Sequence, residues 1–187
     1  MLHNAYRVNR AGRGTFKQVM AAVELLHKHQ VKFATLTCVN NLTSQNALEV
    51  YRFLRDVVKS PQMQFIPIVE QKTFRTVAPQ TSQVSEQLKQ GDKRLIPGHK
   101  DSIMESWCVS DLAWGNFLIS VFDEWAKNDI GKVFVQYFEA SLETWIGRPN
   151  PLCTLNEICG KGLAMEPLPH ISFLSLIHIS EPTRLTC

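Results

Sequence analysis

Val31-Lys-Phe-Ala-Thr-Leu-Thr-Cys-Val39 is a compact, β-branched apolar run of the length expected for a buried strand. Asn40-Asn41-Leu42-Thr43-Ser44 follows at once and has turn chemistry. Leu48, Tyr51, Leu54 and Val58 then recur at helical spacing, and Ser60-Pro61 stops that helix because a residue before proline is pushed out of the helical region. Met63-Gln-Phe-Ile-Pro-Ile-Val69 is a second strand of the same kind, expected to loosen at Pro67, which has no N–H for a ladder bond. On the other side of the opening run, Thr15 is a candidate helix cap, and Phe16, Val19, Met20, Val23 and Leu26 share one helical face that ends near His29-Gln30. Helix, strand, helix, strand with short connections implies parallel βα units, each helix laid on the sheet by a right-handed crossover. Sheets of that kind carry their sites at the carboxyl ends of the strands, which directs attention to Asn40-Asn41 and Val69-Glu70.

Gln71 to Val109 breaks the rhythm: it is long, polar and punctuated by Pro79, Gly91, Pro97 and Gly98. A loop of that length is usually functional or disordered. Ser110-Asp111 resembles a helix start, with Phe117, Leu118, Val121, Phe122 and Trp125 as an apolar stripe, and the Trp and Phe stripes read as core. Gly131 precedes a third expected strand, Val133-Phe-Val-Gln-Tyr-Phe138, and a short helix through Leu142 and Trp145-Ile146 follows. Gly147-Arg-Pro-Asn-Pro151 then turns into the loop Pro151-Leu-Cys-Thr-Leu-Asn-Glu-Ile-Cys-Gly-Lys-Gly162. The sequence has no internal repeat, Gly-rich phosphate loop, His-Glu-x-x-His pair or nucleophile elbow.

With 187 residues, 44% hydrophobic and 20% charged, the chain has the make-up of a soluble globular protein with one sizeable core. A net charge of +3, evenly spread, gives no case for nucleic acid or membrane as a partner. No run approaches the roughly 20 apolar residues that span a bilayer, and the first residues lack a signal-peptide core. A cytoplasmic location is the expectation. Free thiols or metal ligands are then favoured over disulfides for the 5 cysteines. Cys38 in its strand and Cys108 beside Trp107 read as buried small hydrophobes. Cys153 and Cys159, in a loop bounded by Gly and Pro, are open to three readings: structural thiols, ligands of a soft metal or iron–sulfur cluster, or a redox dithiol. Arg7, Arg10 and Arg13 form either a solvated basic face or a site for a carboxylate or phosphate, to which a guanidinium fork is suited. The 6 histidines show no metal spacing; His27 and His29 favour the dipole at a helix C-terminus.

His3-Asn-Ala-Tyr-Arg-Val-Asn-Arg-Ala-Gly-Arg-Gly-Thr-Phe16, Asn40-Asn41, Leu48-Glu-Val-Tyr-Arg-Phe53, Gln64-Phe-Ile-Pro-Ile-Val-Glu70, Gly115-Asn-Phe-Leu118, Phe122-Asp-Glu-Trp125, Gly131-Lys-Val-Phe-Val-Gln136 and Leu152-Cys…Cys159-Gly160 form an ordered set of blocks. Together they resemble the anaerobic sulfatase-maturating enzymes, radical S-adenosylmethionine enzymes with a cysteine-rich SPASM-type C-terminal extension. The resemblance implies an α/β fold in which residues 1–150 are the C-terminal part of a partial (β/α)6 radical-SAM barrel. Residues 151–167 would then begin the auxiliary iron–sulfur domain. Leu174-Ser-Leu-Ile-His-Ile-Ser-Glu-Pro-Thr-Arg184 is similar to the translation of a sequencing-library adapter, so residues 168–187 are expected to be foreign.

The family uses S-adenosylmethionine and one radical-SAM [4Fe-4S] cluster, held by a Cys-x3-Cys-x2-Cys motif, to make a 5′-deoxyadenosyl radical. That radical takes hydrogen from Cβ of a cysteine or serine in an unfolded sulfatase polypeptide, yielding Cα-formylglycine. Two auxiliary [4Fe-4S] clusters and an external electron donor complete the system. Carried over by position, Arg7 aligns with an arginine that contacts S-adenosylmethionine and Val69 with an apolar strand-end residue touching the same cofactor. Cys153 and Cys159 align with two ligands of the first auxiliary cluster. The three-cysteine motif is not in the chain, and Leu168-Pro169-His170 stands where the family leads toward a Cys-Asp pair whose aspartate is the proposed proton acceptor, so no catalytic residue is assigned. Two other functions stay open: a different SPASM-type radical enzyme acting on peptides, and a non-catalytic α/β interaction module with incidental cysteines.

Overall fold

The computed structural model describes residues 2–72, 91–150 and 152, together with the backbone of Leu163–Met165 and Ile171–Phe173. These fall into two compact units, Met1–Val135 and Gln136–Cys187.

The first unit is α/β. Its elements are α1 (Leu2–Tyr6), α2 (Phe16–Lys28), β1 (Thr35–Val39), α3 (Asn41–Ser44), α4 (Ala47–Arg52), β2 (Gln62–Pro67), α5 (Asp111–Asn128) and β3 (Phe134–Val135). The three strands pair in parallel in the order β1-β2-β3, with Thr35 opposite Met63, Val39 opposite Pro67, and Gln62 opposite Phe134. Parallel neighbours need a crossover, and here helices supply it: α4 between β1 and β2, α5 between β2 and β3. Pro67 does not break the ladder to β1. Ile68 N–H, which donates to Val39 C=O at 2.9 Å, points to the β1 side, so the missing donor of Pro67 falls on the opposite side. There β3 pairs only with Gln62 and Met63.

Buried residues show why the helices lie where they do. The inward stripe of the second helix is Ala47, Tyr51, Leu54 and Val58, a regular helical repeat that starts one residue before the expected Leu48, itself 37% exposed. On α5 the stripe narrows to Phe117, Val121 and Trp125, and Phe122 is exposed. Phe117 meets Phe65 of β2 edge to face, ring centroids 5.2 Å apart, which seats α5 on the sheet. Ser110 caps α5 through Ala113 N–H, as its sequence position suggests. Trp125 Nε1 donates to Val133 C=O at 2.7 Å, tying the end of α5 to the approach of β3. Gly131, at φ +76°, makes the left-handed turn between them. By contrast, α2 forms where expected but has no buried residue: Val19 of its apolar face is exposed, and Val23 and Leu26 are only half-buried.

The third strand is shorter than Val133–Phe138. Only Phe134–Val135 pair, and the chain then enters α6 (Gln136–Trp145). A short apolar run fits either period, and Glu139, Ala140, Leu142 and Glu143 just beyond it are strong helix formers that draw the run into a helix. In this second unit Asn150 is buried. Its Nδ2 donates to Ala140 C=O at 2.7 Å and to Thr144 Oγ1 at 2.6 Å, and its Oδ1 accepts from Leu152 N–H at 2.7 Å. The entrance to the cysteine loop is thus pinned to α6. Trp145, at the end of α6, is 90% exposed. β4 (Leu163–Met165) and β5 (Ile171–Phe173) form an antiparallel pair.

Helix α4 runs on into a π-helical turn, Phe53–Val57, and an ion-pair network joins this stretch to α5. Arg55 Nη1 contacts Glu124 Oε1 at 3.2 Å and Asp129 Oδ2 at 2.9 Å; Arg52 Nη2 contacts Glu124 Oε2 at 2.9 Å; the buried Tyr51 hydroxyl donates to Asp129 Oδ2 at 2.7 Å. The hydrogen bond from Arg52 holds the Glu124 carboxyl below its ordinary value of 4.5, and burial followed by the bond to Asp129 pushes the Tyr51 phenol above its ordinary value of 10.0. A lowered carboxylate stabilises the fold above pH 4.5, and this is lost as pH falls through the folded value. A raised phenol stabilises it below pH 10.0, and this is lost as pH rises. Thermal unfolding of the chain across pH should therefore show Glu124→Gln flattening the acid limb and Tyr51→Phe flattening the alkaline one. Wild-type slopes in both variants would remove this network from the stability of the helix pair.

Candidate functional site

The carboxyl ends of β1 and β2 are built by local capping on one side and by a remote segment on the other. Asn40, buried at the end of β1, turns its Oδ1 onto Leu42 N–H at 3.0 Å and Thr43 N–H at 2.8 Å, capping α3 and bending the chain away from the sheet. Beyond Val39, β2 would lose its partner. Residues 103–109 replace it: Val109 N–H donates to Ile68 C=O at 3.1 Å, Glu105 N–H to Glu70 C=O at 2.9 Å and Lys72 N–H to Ile103 C=O at 2.9 Å. Gln71 and Met104 form an antiparallel bridge within this strap.

Cys108 is 1% exposed, as a small buried hydrophobe should be, but its thiol also works as a polar group. Sγ accepts from Glu70 N–H at 3.1 Å and donates to Glu70 C=O at 3.3 Å. Cys38, expected to be buried, is half-buried, because β1 is the outer strand among the described residues and part of its surface stays open. Trp107 Nε1 donates to Glu70 Oε2 at 3.2 Å, and Asn41 N–H donates to Trp107 C=O at 3.0 Å. The two strand-end pairs singled out from sequence are thus brought together through Trp107. Between half-buried Ile68 and Glu70, Val69 is left 67% exposed, an apolar side chain presented at the strand end.

Arg7 follows α1 directly. Its N–H donates to His3 C=O at 3.0 Å, and its carbonyl accepts from Thr15 N–H at 3.2 Å and Thr15 Oγ1 at 3.1 Å. Among the described residues the guanidinium forms no ion pair, unlike those of Arg52, Arg55 and Arg94. Arg10 and Arg13 sit on a tight loop closed by Asn9, whose Oδ1 accepts from Ala11 N–H at 3.0 Å and Arg13 N–H at 2.9 Å. Arg7 and Val69 are linked indirectly, through Tyr6, Asn41, Trp107 and Glu70. Cys153 and Cys159 lie outside the described residues. Among those described, no group of three or more His, Cys, Asp or Glu could hold a metal ion, and no helix is long and apolar enough to cross a membrane.

Thr15 stands at the cap position of α2 but makes no capping bond, since its hydroxyl is committed to Arg7. Asn4 replaces it: Oδ1 accepts from Phe16 N–H at 3.1 Å. The Asn4 amide lies so close to Gly14 that a Cβ there would collide with it. Nothing in the local pattern announces this cap, because it comes from 12 residues away. Asn4→Ala should cost about 1 kcal/mol, the usual worth of a helix cap. Gly14→Ala should also destabilise by displacing the Asn4 side chain. Chemical unfolding of the chain measures both, and a loss confined to Thr15→Ala would return the cap to Thr15.

No family model matches the chain. Its sequence is 35% identical over 164 residues to a serine-type anaerobic sulfatase-maturating enzyme of Bacteroides thetaiotaomicron, covering 88% of this chain and 36% of that one. It is 25% identical over 167 residues to the serine-type enzyme of Klebsiella aerogenes, covering 89% and 34%, and 23% identical over 167 residues to the cysteine-type enzyme of Clostridium novyi, covering 88% and 37%. Among solved structures, native anSMEcpe with bound AdoMet and Kp18Cys peptide superposes with a TM-score of 0.55 at 23% identity, over 86% of this chain and 36% of that one, which supports the fold. Over most of its length, then, the chain is a homologue of anaerobic sulfatase-maturating enzymes, and it spans 34–37% of the length of these relatives.

Proposed function

We propose that this chain is a segment of a radical S-adenosylmethionine enzyme that converts a cysteine or serine of an unfolded sulfatase polypeptide to Cα-formylglycine. The observation that carries the reading is the 35% identity sustained over 164 residues to a serine-type anaerobic sulfatase-maturating enzyme. Residues 1–150 form the C-terminal part of a partial (β/α)6 barrel, 151–167 open an auxiliary-cluster domain, and 168–187 are foreign to both. The oxidation takes electrons from the substrate, and an external donor primes the enzyme.

The described residues fit S-adenosylmethionine. Its carboxylate suits the Arg7 guanidinium, which has no ion pair among the described residues and offers two parallel donors. Its adenine suits an apolar side chain at a strand end, and Val69 is exposed in that place. When bound and reduced by one electron, the cofactor supplies the group that removes hydrogen from Cβ of the target residue. The chain's own part is to clamp one end of the cofactor by charge, cover its flat face with an apolar contact, and keep both contacts in register along one sheet edge. Cys153 and Cys159 donate two thiolates to an auxiliary [4Fe-4S] cluster, and the rest of the parent donates the others, since four thiolates normally close such a cluster.

In the full-length parent, Arg7→Ala should weaken S-adenosylmethionine binding roughly ten- to a hundred-fold, the usual cost of losing a charged hydrogen-bond partner. Arg7→Lys should recover part of the loss, since it keeps the charge without the fork. Anaerobic calorimetry reads both, and wild-type binding by Arg7→Ala would take Arg7 out of the site. Cys153→Ala or Cys159→Ala should lower the iron content of the reconstituted parent by about one cluster of four. Iron counting and Mössbauer spectroscopy check this, and an unchanged count would remove both thiolates from cluster ligation.

A further inference from the structure

Asn41 joins two segments that are far apart in the chain. Its Nδ2 donates to Ser106 C=O at 2.8 Å, across 65 residues, and its Oδ1 accepts from the Tyr6 hydroxyl at 3.3 Å, across 35 residues. Its backbone N–H holds Trp107 C=O at 3.0 Å. The two side-chain bonds cannot be exchanged by turning the amide over, since Oδ1 would then face the Ser106 carbonyl and two acceptors would repel. Ser106 therefore fixes which way Asn41 points, and Asn41 fixes where the Tyr6 ring ends. Tyr6 is the last residue of α1, so the residue placed by this anchor is Arg7.

Arg7 needs such an anchor. Nothing in α1 is fully buried, and the contacts of His3 and Asn4 run to Thr15 and Phe16 at the start of α2 rather than to the sheet. The bonds at Arg7 are to His3 and Thr15, both within the N-terminal segment, and they do not tie it to the sheet. Tyr6 to Asn41 does, and Asn41 is in turn held by the strap that also fixes Glu70 beside Val69. We infer that Asn41 is a positioning residue for the proposed S-adenosylmethionine site: through Tyr6 it holds Arg7 at the sheet edge that presents Val69. This rests on the reading of Arg7 as the carboxylate clamp. The energetic role is pre-organisation, since an arm already held in place loses less freedom when ligand binds.

The test uses the full-length parent, reconstituted anaerobically, with S-adenosylmethionine affinity by calorimetry, KM and kcat by turnover, and iron content as a check on integrity. Tyr6→Phe and Asn41→Ala should each weaken binding by about two- to tenfold, the range of a single neutral hydrogen bond. KM should rise with them while kcat at saturating cofactor and iron content stay at wild-type levels. Asn41→Asp should lose at least as much as Asn41→Ala, because a carboxylate oxygen would face the Ser106 carbonyl. In an Arg7→Ala background, Asn41→Ala should add nothing, the result that separates positioning from a general loss of structure. Additive losses there would overturn the proposal, as would wild-type affinity in both Tyr6→Phe and Asn41→Ala. If Asn41→Ala does not fold, Tyr6→Phe alone decides, since it removes only the hydroxyl of an exposed residue. Arg7→Ala by itself reports on the underlying reading: an unchanged affinity sinks that reading and this proposal together, whereas weakened binding in Arg7→Ala with wild-type binding in Tyr6→Phe and Asn41→Ala sinks only this proposal.

Discussion

The bond from Ile68 N–H to Val39 C=O, 2.9 Å long, is the last rung that β1 offers β2, and the layout of the sheet edge follows from it. It sets the register that places Val39 opposite Pro67. Successive residues of a strand bond to opposite sides, so Ile68, Glu70 and Lys72 all turn their polar groups toward the side β1 has just left. Buried backbone groups must find partners. Glu105, Cys108, Val109 and the carbonyl of Ile103 supply them, and the strap of residues 103–109 lies against the strand end as a consequence.

This substitution of one partner for another shapes the chemistry of the edge. A strand that continued β1 would offer only ladder bonds. The strap also brings side chains, with the Trp107 indole on the Glu70 carboxylate and the Cys108 thiol straddling the Glu70 peptide. A thiol can do this because it is both a weak donor and a weak acceptor and is small enough to be buried. With Glu70 held at backbone and side chain, Val69 has little freedom to turn inward, and its exposure is a property of the strap rather than of valine. An apolar side chain kept in water at a strand end is costly to the fold and useful to a ligand.

The sequence made part of this visible. Tyr51, Leu54 and Val58 repeat at helical spacing over a long segment, so periodicity identifies them, and only the start of the stripe shifts, from Leu48 to Ala47. Val133–Phe138 is too short for its period to decide between strand and helix, and the helix formers after it prevailed. Thr15 has the residue type of a cap, but a competing acceptor at Arg7 takes its hydroxyl, and Asn4 reaches in from another helix. The strap escapes sequence reading for a different reason. Its bonds are mostly backbone to backbone between segments more than 30 residues apart, and backbone groups carry no residue signature; only Cys108 and Trp107 hint at burial there. Arg7 and Val69 were singled out by resemblance, and the fold independently sets Val69 at the strand end that parallel-sheet logic had marked.

Among the exposed arginines, charge does not distinguish Arg7 from Arg10 or Arg13. All three lie in one short basic segment, and any of them could meet an anion. Attachment distinguishes them. Arg10 and Arg13 ride on a loop closed on itself by Asn9, whose bonds begin and end within that loop. Arg7 is one peptide bond from Tyr6, whose hydroxyl reaches Asn41 at the end of β1. A cation on a self-contained loop can attract an anion but cannot hold it in register with a second contact. A cation tied to the same edge as Val69 can, which is what the proposed site asks of Arg7: a ligand with a charged end and a flat aromatic end needs two contacts at a fixed separation.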